Sequence, residues 1–264
     1  MEHSDDASAQ RCRDALAAGA QAGPYFAVEP ADTGQLDWRP LRELLVDATL
    51  DERVGTAQAF LQRLTGGEVE RRACASIDAL GVAARLVSPP LAAAVLAGVV
   101  PGLDLDRVSW RAVEGGPLPL AYELSAGRDV DSAQAAAEAL VELILHPVVS
   151  PLLDRYREHF QLSPQVLQGN VVSALAGAAG MLLRAGLALR LDPVAVVQAL
   201  LERGPLAGSG RYERPFTGVD RQFFVRNSCC LYYRVPGGGT CGDCVLVPEA
   251  ARRQGWRAEL ERQP

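Results

Sequence analysis

Apolar residues recur at intervals of three and four along most of the chain, which is the spacing of amphipathic helices. Glycines, prolines and capping residues divide this pattern into segments. The predicted helices cover residues 1–20, a short piece opened by Pro40, residues 51–65, 68–87, 91–100, 131–146 and 151–160, a long helix from 163 past 186, and residues 193–203.

Specific residues mark several of these helix boundaries. The start signals are Asp51 as an N-cap, Asp131 with Gln134 as a capping box, and Ser163-Pro164 and Asp192-Pro193 as cap and first-turn pairs. Pro89-Pro90 is expected to end the helix before it, because proline lacks the N–H that an interior helical residue donates. Cys74 lies on the apolar face of that helix and is predicted to be a core residue.

Alternating apolar and polar residues appear clearly in only one region. Arg107–Val113 and Leu118–Leu124 flank a glycine-containing turn and predict a β-hairpin, with Val108 and Trp110 on one face. A weaker signal predicts an edge strand over residues 25–28, followed by a turn at 30–34. The sequence therefore predicts an α+β fold that is predominantly α-helical with a small antiparallel sheet.

The length of the chain allows either one large domain or a main domain with a small appendage. The prediction is a mainly helical domain over residues 1–214, with the hairpin near 107–124, and a C-terminal segment over 215–264. That segment is barely longer than the roughly 40 residues below which chains usually need a metal or a disulfide for stability.

Charge and composition exclude several classes of function. The chain has 26 basic and 32 acidic residues, so broad binding to nucleic acid or anionic membrane is not expected. Every basic residue is arginine, which leaves no lysine for a Schiff base or a phosphate-binding loop. No Gly-x-Gly-x-x-Gly motif follows a predicted strand, so no nicotinamide or flavin site is indicated.

The N-terminal residues are acidic and polar and do not look like a secretory signal. We therefore expect a cytoplasmic protein. Arg184 and Arg190 interrupt the longest apolar stretch, residues 171–191, so no transmembrane segment is predicted. A reducing compartment directs attention to metal or redox roles for the cysteines.

Four of the six cysteines fall in one short run. Cys229 and Cys230 are adjacent, ten residues follow, and then come Cys241 and Cys244 with two residues between them. A disulfide between neighbours would be strained, and three glycines before Cys241 disfavour a thioredoxin-type exchange site. A structural zinc site remains open, although adjacent cysteines bind a single ion awkwardly, and a two-iron cluster uses them more easily.

The string Arg226-Asn-Ser-Cys-Cys-Leu-Tyr-Tyr-Arg234 with Cys241-Gly-Asp-Cys244 resembles the C-terminal 2Fe-2S segment of the FhuF-type ferric-siderophore reductases. The resemblance extends more weakly to residues 85–94, the Trp110 hairpin and residues 169–175. It implies that a 2Fe-2S cluster is bound by Cys229, Cys230, Cys241 and Cys244. Cys12 and Cys74 match no part of the pattern.

The resemblance also implies an activity. The implied activity is the one-electron reduction of a ferric siderophore in the cytoplasm. This reduction releases Fe(II), and the helical domain holds the substrate. An external electron donor, ferredoxin-like or flavin-based, is then required. The alternative is a non-enzymatic protein that binds a siderophore or a partner and uses the four cysteines for structural zinc.

Residues beside the cysteines have two interpretations each. Arg226 and Arg234 could offset the charge of the cluster or bind an anionic substrate, and either could instead be an ordinary salt-bridged arginine. Tyr232 and Tyr233 could pack in the core or stack on a substrate.

Overall fold

The computed structural model describes residues 2–30, 37–124 and 126–262. Helices dominate it, as predicted. They are α1 Glu2–Gly19, α2 Asp47–Thr65, α3 Arg71–Ala97, α4 Ala133–Leu140, α5 Ser150–Phe160, α6 Pro164–Arg184, α7 Pro193–Glu202 and α8 Glu249–Arg262. The short piece after Pro40 is a 3₁₀ helix over Leu41–Leu45.

Short strands form three small sheets. The strands are β1 Glu29–Pro30, β2 Arg39–Pro40, β3 Val99–Pro101, β4 Val108–Trp110, β5 Leu120–Tyr122, β6 Gly127–Asp129, β7 Gly210–Glu213 and β8 Phe223–Arg226. Their orders are β1-β5-β4-β2, β3-β6 and β7-β8. The predominantly helical α+β class is therefore confirmed.

The predicted hairpin is formed by β4 and β5, which pair antiparallel with Val108 opposite Tyr122. Val108 and Trp110 are buried on one face, as the alternation predicts. The strand predicted at 25–28 is wrong, because the guanidinium of Arg85 binds the carbonyls of Tyr25 and Ala27 and β1 begins only at residue 29. Residues 31–34 of the predicted turn lie outside the described residues.

Helix α3 passes through Pro89 and Pro90 without a break, so the predicted end at these prolines is wrong. Proline at position 89 leaves the carbonyl of Arg85, four residues earlier, without its helical donor. The hydroxyl of Tyr122 donates to that carbonyl at 3.3 Å. The helix also packs along α6. Its last residues include most of the helix that was predicted separately at 91–100.

A second continuous helix runs over Ala133–Phe160, where two helices were predicted. Its middle, Val141–Val149, is π-helical and contains Pro147. The wider π turns accommodate a residue without an N–H. The predicted capping box is also wrong, because Ser132 is the N-cap and accepts from the N–H of Ala135 at 3.2 Å.

Of the three remaining predicted helix starts, two are confirmed and one is wrong. Ser163 and Asp192 cap α6 and α7 as predicted, accepting from the N–H groups of Val166 and Val194. Asp51 does not begin α2, which starts four residues earlier, and its carboxylate pairs with Arg71 instead.

Three helices are long and apolar enough to cross a membrane by length and composition. They are Arg71–Ala97, Ala133–Phe160 and Pro164–Arg184, and 78%, 50% and 61% of their most apolar windows are buried within the protein. The absence of a transmembrane segment stays a prediction.

The C-terminal segment is attached to the body by strand pairing that the sequence pattern did not indicate. β7 lies before the predicted boundary at 214/215 and pairs antiparallel with β8, which lies after it. Phe223 stacks on Trp256 of α8 with ring centroids 4.9 Å apart. The division into two domains stays a prediction.

Candidate metal centre

The four clustered cysteines lie in one loop, residues 227–247, which we call the cysteine loop. It leaves β8 and returns to α8. The backbone N–H of Arg226, the last residue of β8, donates to the carbonyl of Asp243 at 3.1 Å, so the loop closes on its own beginning. As a result, the Sγ atoms of Cys230 and Cys241 lie 3.5 Å apart.

The backbone turns sharply at the adjacent cysteines. Leu231 has a φ of +66°, in the left-handed region that a branched side chain rarely adopts. This turn lets the N–H of Leu231 donate to the Sγ of Cys229 at 3.3 Å. Strained backbone of this kind is common at functional sites, where surrounding contacts hold it in place.

Buried polar contacts with α3 and α6 hold the strained turn. The hydroxyl of Ser76 donates to the carbonyl of Cys230 at 2.8 Å. Asn170 donates to the carbonyl of Ser76 at 2.8 Å and accepts from Nη2 of Arg226 at 2.7 Å. One network therefore connects both helices to the residue before the loop and to one of its cysteines.

Helix α6 contacts the loop at two further points. Ser228 donates to the carbonyl of Gln165 at 2.6 Å, and Ser173 donates to the carboxylate of Asp243. Gly169 makes the first approach possible, since a Cβ there would lie only 2.1 Å from the Oγ of Ser228. The small residues of this helix thus allow the loop to come close to its backbone.

Arg226 brings a positive charge to the cysteines from inside the protein. Its side chain is fully buried, and its Nε and Nη1 have no hydrogen-bond partner among the described residues. The charge lowers the pKa of Cys229 and Cys230, although burial raises the pKa of Cys229 overall. This placement favours the interpretation that Arg226 offsets the charge of a cluster.

The close pair of sulfurs differs in acidity. The hydrogen bond between the two sulfurs lowers the pKa of Cys230 to about 6, with the backbone N–H of Tyr232 adding to the effect. The same bond raises the pKa of Cys241. The contact between the two sulfurs therefore favours a thiolate within the pair, which is the form that binds a metal.

Arg234 lies on the surface of the loop, apart from Arg226. Its Nη1 is 2.7 Å from the carboxylate of Glu70, and its Nε donates to the hydroxyl of Tyr233 at 3.2 Å. Tyr233 is exposed, whereas Tyr232 packs against a hydrophobic cluster beneath the loop. A substrate contact at Arg234 stays a prediction.

The other two cysteines are core residues. Cys12 and Cys74 are fully buried in separate hydrophobic clusters, and burial raises the pKa of both thiols. The predicted core position of Cys74 is confirmed.

The arrangement of sulfurs suits a cluster that takes its ligands in pairs. Two thiolates about 2.3 Å from one tetrahedral metal lie roughly 3.8 Å apart, close to the separation between Cys230 and Cys241. Across the described part of the chain, no three side chains of the metal-binding types gather around a single point. A 2Fe-2S cluster needs four thiolates spread over two irons; the structure describes one close pair, Cys230 and Cys241, and Cys229 and Cys244 lie in the same loop.

Comparison with family models agrees with this geometry. Residues 226–246 match the FhuF 2Fe-2S C-terminal domain. The cysteine loop is an FhuF-type 2Fe-2S segment. Cys229, Cys230, Cys241 and Cys244 fit the motif of that domain, and the resemblance seen in the sequence is confirmed over this range. A search of curated proteins found no match for the chain.

The FhuF-type segment fixes the cofactor as a 2Fe-2S cluster, as predicted, and it leaves zinc without support. The assignment of each cysteine as a ligand stays a prediction. The sequence had not indicated Ser76 or Asp243 as supports of the loop. Asn170 is the residue from which a buried polar contact could have been predicted, because an amide inside an apolar helix needs a hydrogen-bond partner.

Proposed function

We propose that this protein is a ferric-siderophore reductase of the cytoplasm. The observation that carries the proposal is the FhuF-type 2Fe-2S segment, held against a helical body by a buried polar network. A body this large is more than a simple electron carrier needs, and it provides the surface on which a substrate can bind.

The chemistry follows from the preferences of iron. Siderophores bind Fe(III) through hard oxygen donors, and the softer Fe(II) formed by one added electron is held far less tightly. A bound 2Fe-2S cluster supplies single-electron transfer. The electron comes from an external donor, ferredoxin-like or flavin-based, and it ends on the siderophore iron, which leaves as Fe(II).

The protein's own residues set the properties of the site. The N–H of Leu231 donates to the Sγ of Cys229, and hydrogen bonds to cluster sulfurs raise the reduction potential. The buried charge of Arg226 acts in the same direction, because a positive charge favours the more negative reduced state. The contacts from Ser76 and Asn170 fix the loop, so that little of it has to move when the charge changes.

The decisive experiment is anaerobic purification followed by metal analysis and reduction. We expect two irons and two sulfides per chain, a reddish-brown protein, and a paramagnetic 2Fe-2S signal after treatment with dithionite. Addition of a ferric siderophore should then remove the signal while a ferrous chelator develops colour.

The matched control is Cys244→Ser compared with Cys74→Ala. The first removes a predicted ligand and should lose the cluster and the reductase activity. The second changes a buried cysteine outside the loop and should keep the cluster. A colourless protein that contains zinc would disprove the proposal, as would a reduced cluster that ferric siderophore leaves unchanged.

A further inference from the structure

A cavity of about 470 Å³ lies between α2, α3, α6 and the turn that joins β4 to β5. Its walls are mainly apolar and include Phe60, Leu80 and Met181. Enclosed, mostly apolar cavities with a few polar groups are the usual form of a small-molecule site.

Two residues that line this cavity carry buried N–H donors without an acceptor in the described part of the chain. Arg53 and Trp110 both line it. The Nε of Arg53 and the Nε1 of Trp110 are buried, and neither has a hydrogen-bond partner within the residues that the structure describes. A buried donor without an acceptor costs free energy, so a ligand that brings oxygen atoms would be favoured here.

The acidic groups of the cavity are already paired. An acidic lining would otherwise repel a ligand that carries oxygen donors. Asp78 pairs with Arg53 at 2.7 Å and accepts from Tyr156, Glu52 pairs with Arg39 at 3.2 Å, and Glu114 pairs with Arg63 at 3.4 Å. The two unpaired polar atoms named above, Arg53 Nε and Trp110 Nε1, are N–H donors, so they favour a ligand that brings oxygen acceptors.

The cavity adjoins the cysteine loop on two sides. Ser173 lines it and donates to Asp243, which lies between Cys241 and Cys244. Ile77 also lines it and follows Ser76, the residue that binds the carbonyl of Cys230. The cavity lining is thus connected to Cys230 through Ser76 and to the Cys241–Cys244 stretch through Ser173.

We propose that this cavity binds the ferric chelate, with Arg53 Nε and Trp110 Nε1 donating to its oxygen atoms. The electron step rests on the proposed function above. The external donor first reduces the cluster by one electron. The reduced cluster then passes this electron to the chelate, and its Fe(III) becomes Fe(II). Binding itself requires no redox change.

The first test measures binding without electron transfer. The probes are Ga(III) complexes of a trihydroxamate and of a tricatecholate siderophore, because Ga(III) is not reduced under these conditions. Trp110→Phe keeps an aromatic ring, although a smaller one, and removes the N–H, and we expect about tenfold weaker binding of whichever complex binds the unmodified holoprotein. Trp38→Phe is the matched control, since its Nε1 is also buried and unpartnered but Trp38 does not line the cavity.

The second test fills the cavity. A Cβ at Gly81 meets no heavy atom within 4 Å, and Gly81 lines the cavity, so Gly81→Leu should fit the fold and block the chelate. Gly255→Leu in α8 is the matched control, because its Cβ is equally free and Gly255 is not part of the lining. Both variants should keep the visible absorption of the cluster.

The results separate the two proposals. The cavity assignment is overturned if neither complex binds, if both tryptophan variants weaken binding equally, or if Gly81→Leu binds normally. Ferric chelate that oxidises the reduced cluster equally well in Gly81→Leu would also overturn the cavity while leaving the reductase intact. Ga(III) binding that is lost only in the cavity variants, with no oxidation of the cluster by ferric chelate, would support the cavity and reject the reductase.

Discussion

Arg226 shows how one buried residue can serve both the fold and the chemistry. Its backbone N–H closes the cysteine loop, and its Nη2 completes the contact with Asn170 of α6. A buried guanidinium usually has a carboxylate partner. Here two of its nitrogens have no acceptor in the described chain, so a negatively charged cluster is the natural counter-charge.

Replacement of Arg226 by methionine should lower the reduction potential of the cluster. Removing the positive charge disfavours the more negative reduced state, and we expect a shift on the order of 60 mV, a tenfold change in a one-electron equilibrium. Arg226→Lys keeps the charge and should retain most of the potential. Redox titration followed by electron paramagnetic resonance measures both, and equal shifts in the two variants would contradict a charge effect.

Among the helices, α6 lets the cysteine loop approach its backbone closely because it has a glycine at position 169. Gly169→Ala places a methyl group within 2.1 Å of Ser228 Oγ and 2.8 Å of Arg226 Nη2. The loop must then shift, and we expect a loss of about 1–3 kcal/mol in the free energy of unfolding and lower cluster content. Iron and sulfide analysis with urea denaturation measures both effects.

The control for this prediction lies in the same helix. A Cβ at Gly177 meets no heavy atom within 4 Å, so Gly177→Ala should keep the cluster and gain up to about 1 kcal/mol from helix propensity. Equal cluster loss in both variants would mean that close approach at Gly169 is not the cause.

The unbroken path of α3 through two prolines depends on a contact from the hairpin. Tyr122→Phe removes the donor to the Arg85 carbonyl and should cost about 1–3 kcal/mol of stability. Tyr212→Phe is the comparison, because that buried hydroxyl has no hydrogen-bond partner within the described chain and its loss should be nearly neutral. Urea denaturation that gives the same change for both would contradict this account of the helix.

These elements also mark how far the sequence predicts the fold. The hairpin and the starts of α6 and α7 follow from local signals, namely alternation at Trp110 and caps at Ser163 and Asp192. The continuation of α3 past Pro89 does not, because its compensation comes from Tyr122, more than thirty residues away. The pairing of β7 with β8 likewise needs tertiary contacts that short strands do not reveal.

The candidate metal centre was predictable to a similar degree. The spacing of the four cysteines indicates a metal, and the resemblance indicates which one. The environment of the cysteines was not predictable, because the Ser76–Asn170–Arg226 network joins three distant parts of the chain. The burial of Arg226, which favours the interpretation that it offsets charge, is likewise a tertiary property.

For the whole molecule, the long apolar helices raise the question of where the protein resides. Helix α3 packs along α6, and 78% of the most apolar window of α3 is buried, against 50% and 61% for the windows of Ala133–Phe160 and Pro164–Arg184. From the proposed cytoplasmic location we expect the tagged chain to remain in the supernatant after ultracentrifugation of lysed cells. Recovery only in a membrane pellet that needs detergent would contradict the proposed cytoplasmic location.

The turn between β4 and β5 has a consequence for engineering. Residues 113–116 line the cavity, whereas the cysteine loop is held by contacts with α3 and α6. Surface turns accept changes of length and sequence far more readily than packed helices do. If the proposed chelate site is correct, exchanging this turn should change which chelator binds while the contacts that hold the cysteine loop are kept.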